Sequence, residues 1–251
     1  MLLKFPKKKI ILDCFTHNAS IHKLFPIAPA IRHSPEWYKK IPQTATIIDE
    51  HGIELPQATF KRCDGFSRLF NVGWVLPLWC DTKIETDEDG SWRFRVSDTV
   101  DKSIPHIVAH SEEQLGNNFP NYTHIKMHVP WVIKEKTGVY FHYSQNTWGI
   151  KEHWDYLTVV PGLINFKNQG AANINMFLKR GSSIMLEHNT PLVHCIPLSE
   201  AKLEIKNHLV SEQEYNHLHQ PSSFNFAFVG NYKKMLQMEE RSNCPNRSRH
   251  K

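Results

Sequence analysis

Short apolar runs recur along residues 106–198 and limit the possible folds more than any other feature of the sequence. β-Branched and aromatic residues dominate these runs, and turns with glycine, proline or asparagine separate them at a spacing of about ten residues. This pattern is typical of a β-sandwich or jelly roll. The sequence therefore predicts a mainly β chain whose strands include the segments HIVAH, HIKMHVPWVI, GVYFHYS, LTVVPGLINF, NINMFL, SIMLE and PLVHCIPL.

The first hundred residues add further strands and short helices. Residues 9–15 predict a buried strand, and residues 65–73 predict a short amphipathic helix that ends on glycine. Two alternating segments, 83–86 and 92–96, flank the pair Asp89–Gly90, which predicts a β-hairpin with a primed turn.

Length and patterning predict one large domain with a C-terminal appendage. The chain has 251 residues, 40% of them apolar, which is enough for one substantial core. We expect a β-sandwich domain over residues 1–209, a helical segment over 210–240 that begins after the N-cap candidate Ser211, and a basic tail over 241–251.

The charge is concentrated at the chain ends. The formal net charge is +5, and lysine and arginine cluster in residues 4–9 and 241–251. The middle of the chain carries no basic stripe with interleaved aromatic residues, so nucleic-acid contact through the basic termini is possible but not favoured.

Cysteine usage and hydropathy predict the cellular compartment of the protein. Five widely spaced cysteines without a CxxC pair fit neither a disulfide framework nor a zinc knot, so we expect a reducing environment. Lysines interrupt residues 1–15 where a signal peptide needs an apolar stretch, and no run reaches the roughly 18 apolar residues of a membrane helix. These features predict a protein of the cytosol without membrane contact.

One histidine and acid pair fits an iron site. In iron(II) oxygenases a histidine, an acidic residue two positions on and a later histidine hold the metal. Here His153 and Asp155 supply the first pair, and His188 or His194 could supply the third ligand. These enzymes also require a basic residue that pairs with the carboxylate of the co-substrate, and Lys202 meets this requirement only loosely.

Three further histidines and Asn165 are candidates for a ligand face. His124 and His128 lie four residues apart in one predicted strand, so both face one side of a sheet, and His142 could join them from the next strand. That arrangement would be a cupin-like cluster; ordinary hydrogen bonding is the alternative.

The strand over residues 191–197 must bury one of its two faces. Cysteine is readily buried, whereas histidine is costly to bury without a hydrogen bond. We therefore expect Val193 and Cys195 to face the apolar layer, and His194 to line the more open face, where a ligand would bind.

The segment over residues 159–198 resembles the β-clip half of the dUTPase jelly roll in the order of its turns and strands. Those enzymes have an aspartate where this chain has Asn165, and a Gly-Asp turn where it has Asn189–Thr190. The aspartate is their water-activating base. Asparagine accepts no proton at neutral pH, so the resemblance implies a nucleotide-binding relative without hydrolase activity.

A broader resemblance involves the segments PEWYKKIP, KRCDGF, GWVLPLWCD, HVPWVIKEKTGVYFHYSQN, VPGLINF, NINMF and NTPLVHCIPL. They are similar to an uncharacterised family of tailed-bacteriophage proteins, especially of marine cyanophages, with relatives in bacteria. The chain departs from that family where EKTGVYF replaces a double-proline turn and asparagine replaces glycine before Thr190. The resemblance implies a phage origin and a β-sandwich, and supplies no known reaction.

Three functional hypotheses follow. The leading one is a non-enzymatic phage-encoded β-sandwich that binds a protein partner or small ligand, in the host cytoplasm or the virion, with homo-oligomer formation possible. The second is an iron(II)/2-oxoglutarate-type oxygenase built on His153 and Asp155, the only hypothesis that implies a cofactor. The third is the nucleotide-binding dUTPase relative.

Overall fold

The computed structural model describes residues 9–97, 107–109, 118–148 and 152–223. The described residues form mostly short strands with a few short helices, so the mainly β class is confirmed. The jelly-roll connectivity stays a prediction. None of the helices in the described residues is long and apolar enough to cross a membrane.

The strands in chain order are β1 (Lys9–Thr16), β2 (Ala28–Pro29), β3 (Thr44–Ile48), β4 (Glu54–Ala58), β5 (Trp74–Pro77), β6 (Thr82–Thr86), β7 (Trp92–Val96), β8 (Ile107–Ala109), β9 (Tyr122–Met127), β10 (Val132–Glu135), β11 (Tyr140–Gln145), β12 (Leu157–Val159), β13 (Gly162–Asn165), β14 (Ile174–Lys179), β15 (Ser183–Leu186), β16 (Pro191–Pro197) and β17 (Lys202–Leu209). The α-helices are α1 (Ala19–Leu24), α2 (Glu36–Lys40), α3 (Asp64–Asn71) and α4 (Glu212–Ser223). Short 3₁₀ helices cover Ala30–His33, Phe60–Arg62 and Glu152–Asp155.

The described strands are arranged in five sheets. The orders are β10-β1-β17, β13-β11-β16-β5-β2, β12-β14-β9-β8, β15-β6-β7 and the separate hairpin β3-β4. Strand β1 runs parallel to β17 and antiparallel to β10, whereas the other registered pairs are antiparallel.

Two apolar clusters form the interior. The larger one takes alternate residues of β1, β9, β14 and β16, as the two-residue period of strands requires. The smaller one lies on the other face of the β5–β16 sheet and comprises Ala30, Tyr38, Phe70, Val75 and Trp148. We call it the second cluster. Strand β16 is therefore buried on both faces, because each of its sides meets a different cluster.

The β6–β7 hairpin is confirmed, but its turn is not the predicted primed type. Gly90 has a positive φ of 89°. Asp89 does not have a positive φ, because Asn189 is the only non-glycine residue with one in the described part of the chain. Asp87 N donates to Ser91 O at 2.8 Å, and Gly90 N donates to Asp87 O at 3.1 Å. These bonds define a three-residue loop with a bulge at glycine.

The predicted helices agree with the structure where it describes them. Helix α3 covers the predicted segment, shifted by one or two residues. Ser211 is the N-cap of α4, because its Oγ accepts a hydrogen bond from Glu214 N at 3.2 Å. The basic segments over residues 4–8 and 241–251, and the rest of the predicted helical segment over 224–240, lie outside the described residues. The three-part division of the chain stays a prediction.

Candidate functional site

A cleft of about 530 Å³ opens where the end of β1, helix α1 and the loop after β5 meet. Its lining combines imidazole, carboxylate and indole groups with apolar side chains. The lining residues are His17, Asn18, Ala19, Ser20, Ile21, Leu24, Phe25, Trp79, Cys80, Asp81, Ser97 and His188.

Backbone hydrogen bonds join two distant loops at this cleft. Asn189 N donates to Leu78 O at 2.7 Å, and Leu78 N donates to Thr190 O at 2.9 Å. Asn189 has φ of 61°, a left-handed conformation that asparagine tolerates better than most residues. The turn that contains His188 is therefore held against the loop that contains Asp81.

Asp81 and His188 form the central polar pair of the cleft. Oδ1 of Asp81 accepts two hydrogen bonds from His188, one from the backbone N at 2.7 Å and one from the ring Nδ1 at 2.8 Å. These bonds, the backbone one first, hold the pKa of the Asp81 carboxyl below its usual range. Asp81 is thus ionised at neutral pH and fixes the orientation of the imidazole.

The hydrogen bond to Asp81 also determines the tautomer of His188. Because an ionised carboxylate only accepts hydrogen bonds, Nδ1 of His188 carries a proton, and in the neutral form of the ring Nε2 has a lone pair that can accept one. The ring of Phe25 meets the imidazole edge-on, with centroids 6.1 Å apart. His188 therefore offers a hydrogen-bond acceptor beside an aromatic surface.

Trp79 lines the same cleft and carries a buried hydrogen-bond donor. Its side chain is 3% exposed, and its Nε1 finds no acceptor among the described residues. Nδ1 of His17 is likewise buried without a hydrogen bond, and the His17 ring lies 4.6 Å from that of Tyr215 on α4. An unsatisfied buried donor costs about 1–3 kcal/mol, which an acceptor atom of a ligand can recover.

Two other polar residues of the lining have structural roles. Oδ1 of Asn18 accepts from Ile21 N at 3.0 Å and caps α1. Burial raises the pKa of the Cys80 thiol, so this residue is a neutral thiol at physiological pH. The cleft thus combines hydrogen-bonding groups with apolar side chains.

The structure does not bring the predicted iron ligands together. His153 and Asp155 lie in the 3₁₀ helix before β12, His188 bonds to Asp81 at the cleft, and His194 lies in the second cluster. No group of three metal-binding side chains occurs among the described residues, which include all four predicted ligands.

His194 does not line an open face, contrary to expectation. It is only 4% exposed, its Nε2 donates to Val72 O at 2.7 Å, and burial lowers its pKa. The hydrogen bond and the neutral ring make this burial tolerable. Val193 and Cys195 are fully buried in the larger core, as predicted.

The other predicted ligand-face histidines are dispersed over separate sheets. His124 on β9 packs against Phe177 at 5.1 Å, and His128 follows the end of that strand. His142 is exposed on β11, which belongs to a different sheet. The three side chains form no common metal-binding group among the described residues.

Asn165 has a structural role instead of the predicted place on a ligand face. It is 6% exposed, its Nδ2 donates to Gly138 O at 3.0 Å, and its Oδ1 accepts from Lys167 N at 3.0 Å. Both ends of the amide are therefore bonded to backbone groups that shape the turns around β13.

Comparison with protein-family models and with curated proteins found no match to this chain.

Sequence reasoning missed Asp81 and Trp79 and assigned His188 to a different partner. The available signals were an aspartate at the end of an apolar run and a histidine in a turn of β-rich sequence, both typical positions of binding residues. The two segments are 107 residues apart in the chain, and no local pattern links them.

Proposed function

We propose that this protein is a non-enzymatic β-sandwich protein that binds a small organic ligand in the cleft beside Asp81 and His188. The observation that carries the proposal is that Trp79, whose buried N–H lacks an acceptor among the described residues, lines the same cleft as the oriented His188 ring. Binding sites are commonly concave and largely apolar, with a few fixed polar groups.

The lining defines the chemistry of the ligand. Trp79 Nε1 calls for a hydrogen-bond acceptor, and the free lone pair of His188 Nε2 calls for a donor such as a hydroxyl or amine. Ile21, Leu24 and Phe25 supply apolar contact for a compact carbon skeleton. The ligand is thus a small molecule with both polar functions and an apolar part.

A thermal-shift screen tests the proposal. Nucleotides, sugars, amino acids and small aromatic acids are compared as classes, and one class is expected to raise the melting temperature of the wild-type protein. A ligand at a hundredfold excess over its Kd stabilises the folded state by about 2.7 kcal/mol. Substitution His188→Ala is expected to abolish the shift.

A second Asp–His pair provides the matched control. Nε2 of His208 on β17 lies 2.8 Å from Oδ1 of Asp13 on β1, and neither residue lines the cleft. His208→Ala removes the same chemistry elsewhere and is expected to retain the ligand response. Absence of a shift with every class, or a shift that persists in His188→Ala, would contradict the proposal.

The biological setting of the proposal rests on the resemblance to phage proteins. Under that resemblance the protein acts during infection, in the host cytoplasm or as a virion component. Mass spectrometry of purified virions distinguishes the two, since peptides of the chain in the particle indicate a virion component and their absence indicates action in the infected cell.

A further inference from the structure

The β3–β4 hairpin leaves one strand edge open. Strand β3 pairs with β4 and with no other strand in the described part of the chain. Its sequence, TATII, is β-branched except for one alanine and has neither charge nor proline. Such an edge is a template for pairing with another strand, and isolated two-stranded hairpins are only marginally stable.

The register shows which backbone groups face outward. Asp49 N donates to Ile53 O at 3.0 Å, and Thr59 N donates to Gln43 O at 3.1 Å. Hydrogen-bonded pairs alternate in an antiparallel ladder, so the N–H and C=O groups at positions 44, 46 and 48 point away from β4.

The opposite edge of the hairpin is blocked. By the same alternation the outward positions of β4 are 54, 56 and 58, and the central one is Pro56. Proline has no N–H, so this edge cannot form a continuous ladder. Of the two edges of this hairpin, the β3 edge is the one that can accept another strand.

The hairpin also exposes apolar side chains. Ile47, Ile48, Ile53 and Leu55 are 40%, 70%, 56% and 42% exposed. Beside the hairpin lies an open groove that is lined in part by Ile41, Ala45 and Phe60. Clustered exposed apolar residues of this kind mark interaction sites.

The charges at the two ends of β3 fit a second copy of the same strand. Lys39 and Lys40 end the helix that precedes β3, and Asp49 and Glu50 follow its last residue. Two β3 strands paired antiparallel bring the basic end of each copy to the acidic end of the other. A C2 interface of this kind is self-complementary.

We propose that the β3 edge is a homodimer interface in which two copies pair antiparallel about Thr46. The two strands form about six backbone hydrogen bonds, which join the two hairpins into a four-stranded sheet. Thr46 lies opposite Thr46 of the second copy, and Ile47 lies opposite Ala45 of the second copy, next to its apolar groove.

Charge substitution at the two-fold axis tests the pairing. In Thr46→Lys and in Thr46→Glu, like charges face each other across the axis and destabilise the dimer. Light scattering coupled to gel filtration is expected to give a dimer mass for the wild type and a monomer mass for each variant. An equimolar mixture of the two variants is expected to recover the dimer mass.

A matched control lies outside the hairpin. Thr158 is exposed on β12, and Thr158→Lys is expected to leave the dimer intact. A monomeric wild type at high micromolar concentration would overturn the proposal. A dimer that persists in both Thr46 variants would also overturn it, because the contact then uses another surface. Recovery in the mixture also shows that the single variants are folded.

Discussion

The ring of His194 stacks on the indole of Trp148 with centroids 4.8 Å apart and an interplanar angle of 19°. The stack joins β16 to the second cluster, in which the ring of Phe70 also stacks on Trp148 with centroids 4.5 Å apart. His194 is thus a structural residue that links the central sheet to the segment around α2 and α3.

Replacing His194 by alanine is expected to destabilise the fold by about 2–4 kcal/mol. The substitution removes the stack on Trp148, opens a cavity and leaves the carbonyl of Val72 without its donor. Urea denaturation measures the change. The exposed residue His142 on the neighbouring strand is the control, and His142→Ala is expected to change stability by less than about 0.5 kcal/mol. Equal effects of the two substitutions would contradict the structural role of His194.

Thiol labelling of the native protein is expected to separate the cysteines by burial. Cys63 is exposed, whereas Cys14 and Cys195 are completely buried and burial raises their pKa. Peptide mapping after a brief treatment with iodoacetamide should find Cys63 modified and Cys14 and Cys195 protected. Labelling of Cys195 as fast as in the denatured chain would contradict its place in the core.

The bulged turn of the β6–β7 hairpin gives a prediction for Gly90. A β-carbon at this position would lie 2.8 Å from the guanidinium carbon of Arg180, and φ of 89° strains any β-branched residue. Gly90→Val is therefore expected to lower stability by more than about 1 kcal/mol. Gly162 on β13 has ordinary φ and open space, so Gly162→Val should be close to neutral. Equal melting temperatures of the two variants would show that the turn is assigned wrongly.

Acid is expected to destabilise the protein through His33. Burial, with Lys39 and Arg32 nearby, lowers the pKa of His33 to about 4. The folded state therefore binds the proton on His33 less readily than the unfolded state does. The stability that the neutral His33 contributes to the folded state is complete above pH 6.5 and is lost as pH falls toward 4. The loss amounts to at most about 3 kcal/mol.

Urea denaturation at a series of pH values measures this dependence, and His33→Gln should flatten it. The control His51→Gln removes an exposed histidine and should leave the wild-type dependence unchanged. A pH profile that is the same in wild type and His33→Gln would contradict the assignment.

Local sequence patterns predicted the strands well, because the pattern of each strand depends on the residues of that strand. The β6–β7 hairpin was predicted from two alternating segments around Asp89–Gly90, and β1 from a run of β-branched residues. The β3–β4 hairpin was missed because Pro56 interrupts the second strand, and proline is usually a sign against a strand.

The site was harder to predict than the strands because its residues meet only through tertiary structure. Asp81 and His188 are 107 positions apart, and their contact depends on backbone bonds between two loops. The histidines in the sequence suggested metal sites as an alternative, whereas the structure uses His194 in packing and His188 in a pair with a carboxylate.

The central claim is that a ligand binds in the cleft between Trp79 and His188, and the indole N–H of Trp79 reports on it directly. The chain has seven tryptophans, and the Trp79 signal in a proton–nitrogen NMR spectrum is identified by its loss in Trp79→Phe. On titration with the compound that stabilises the protein most, this signal should shift more than the other tryptophan indole signals. Saturation of binding with the Trp79 signal unmoved would contradict the assignment of the cleft as the binding site.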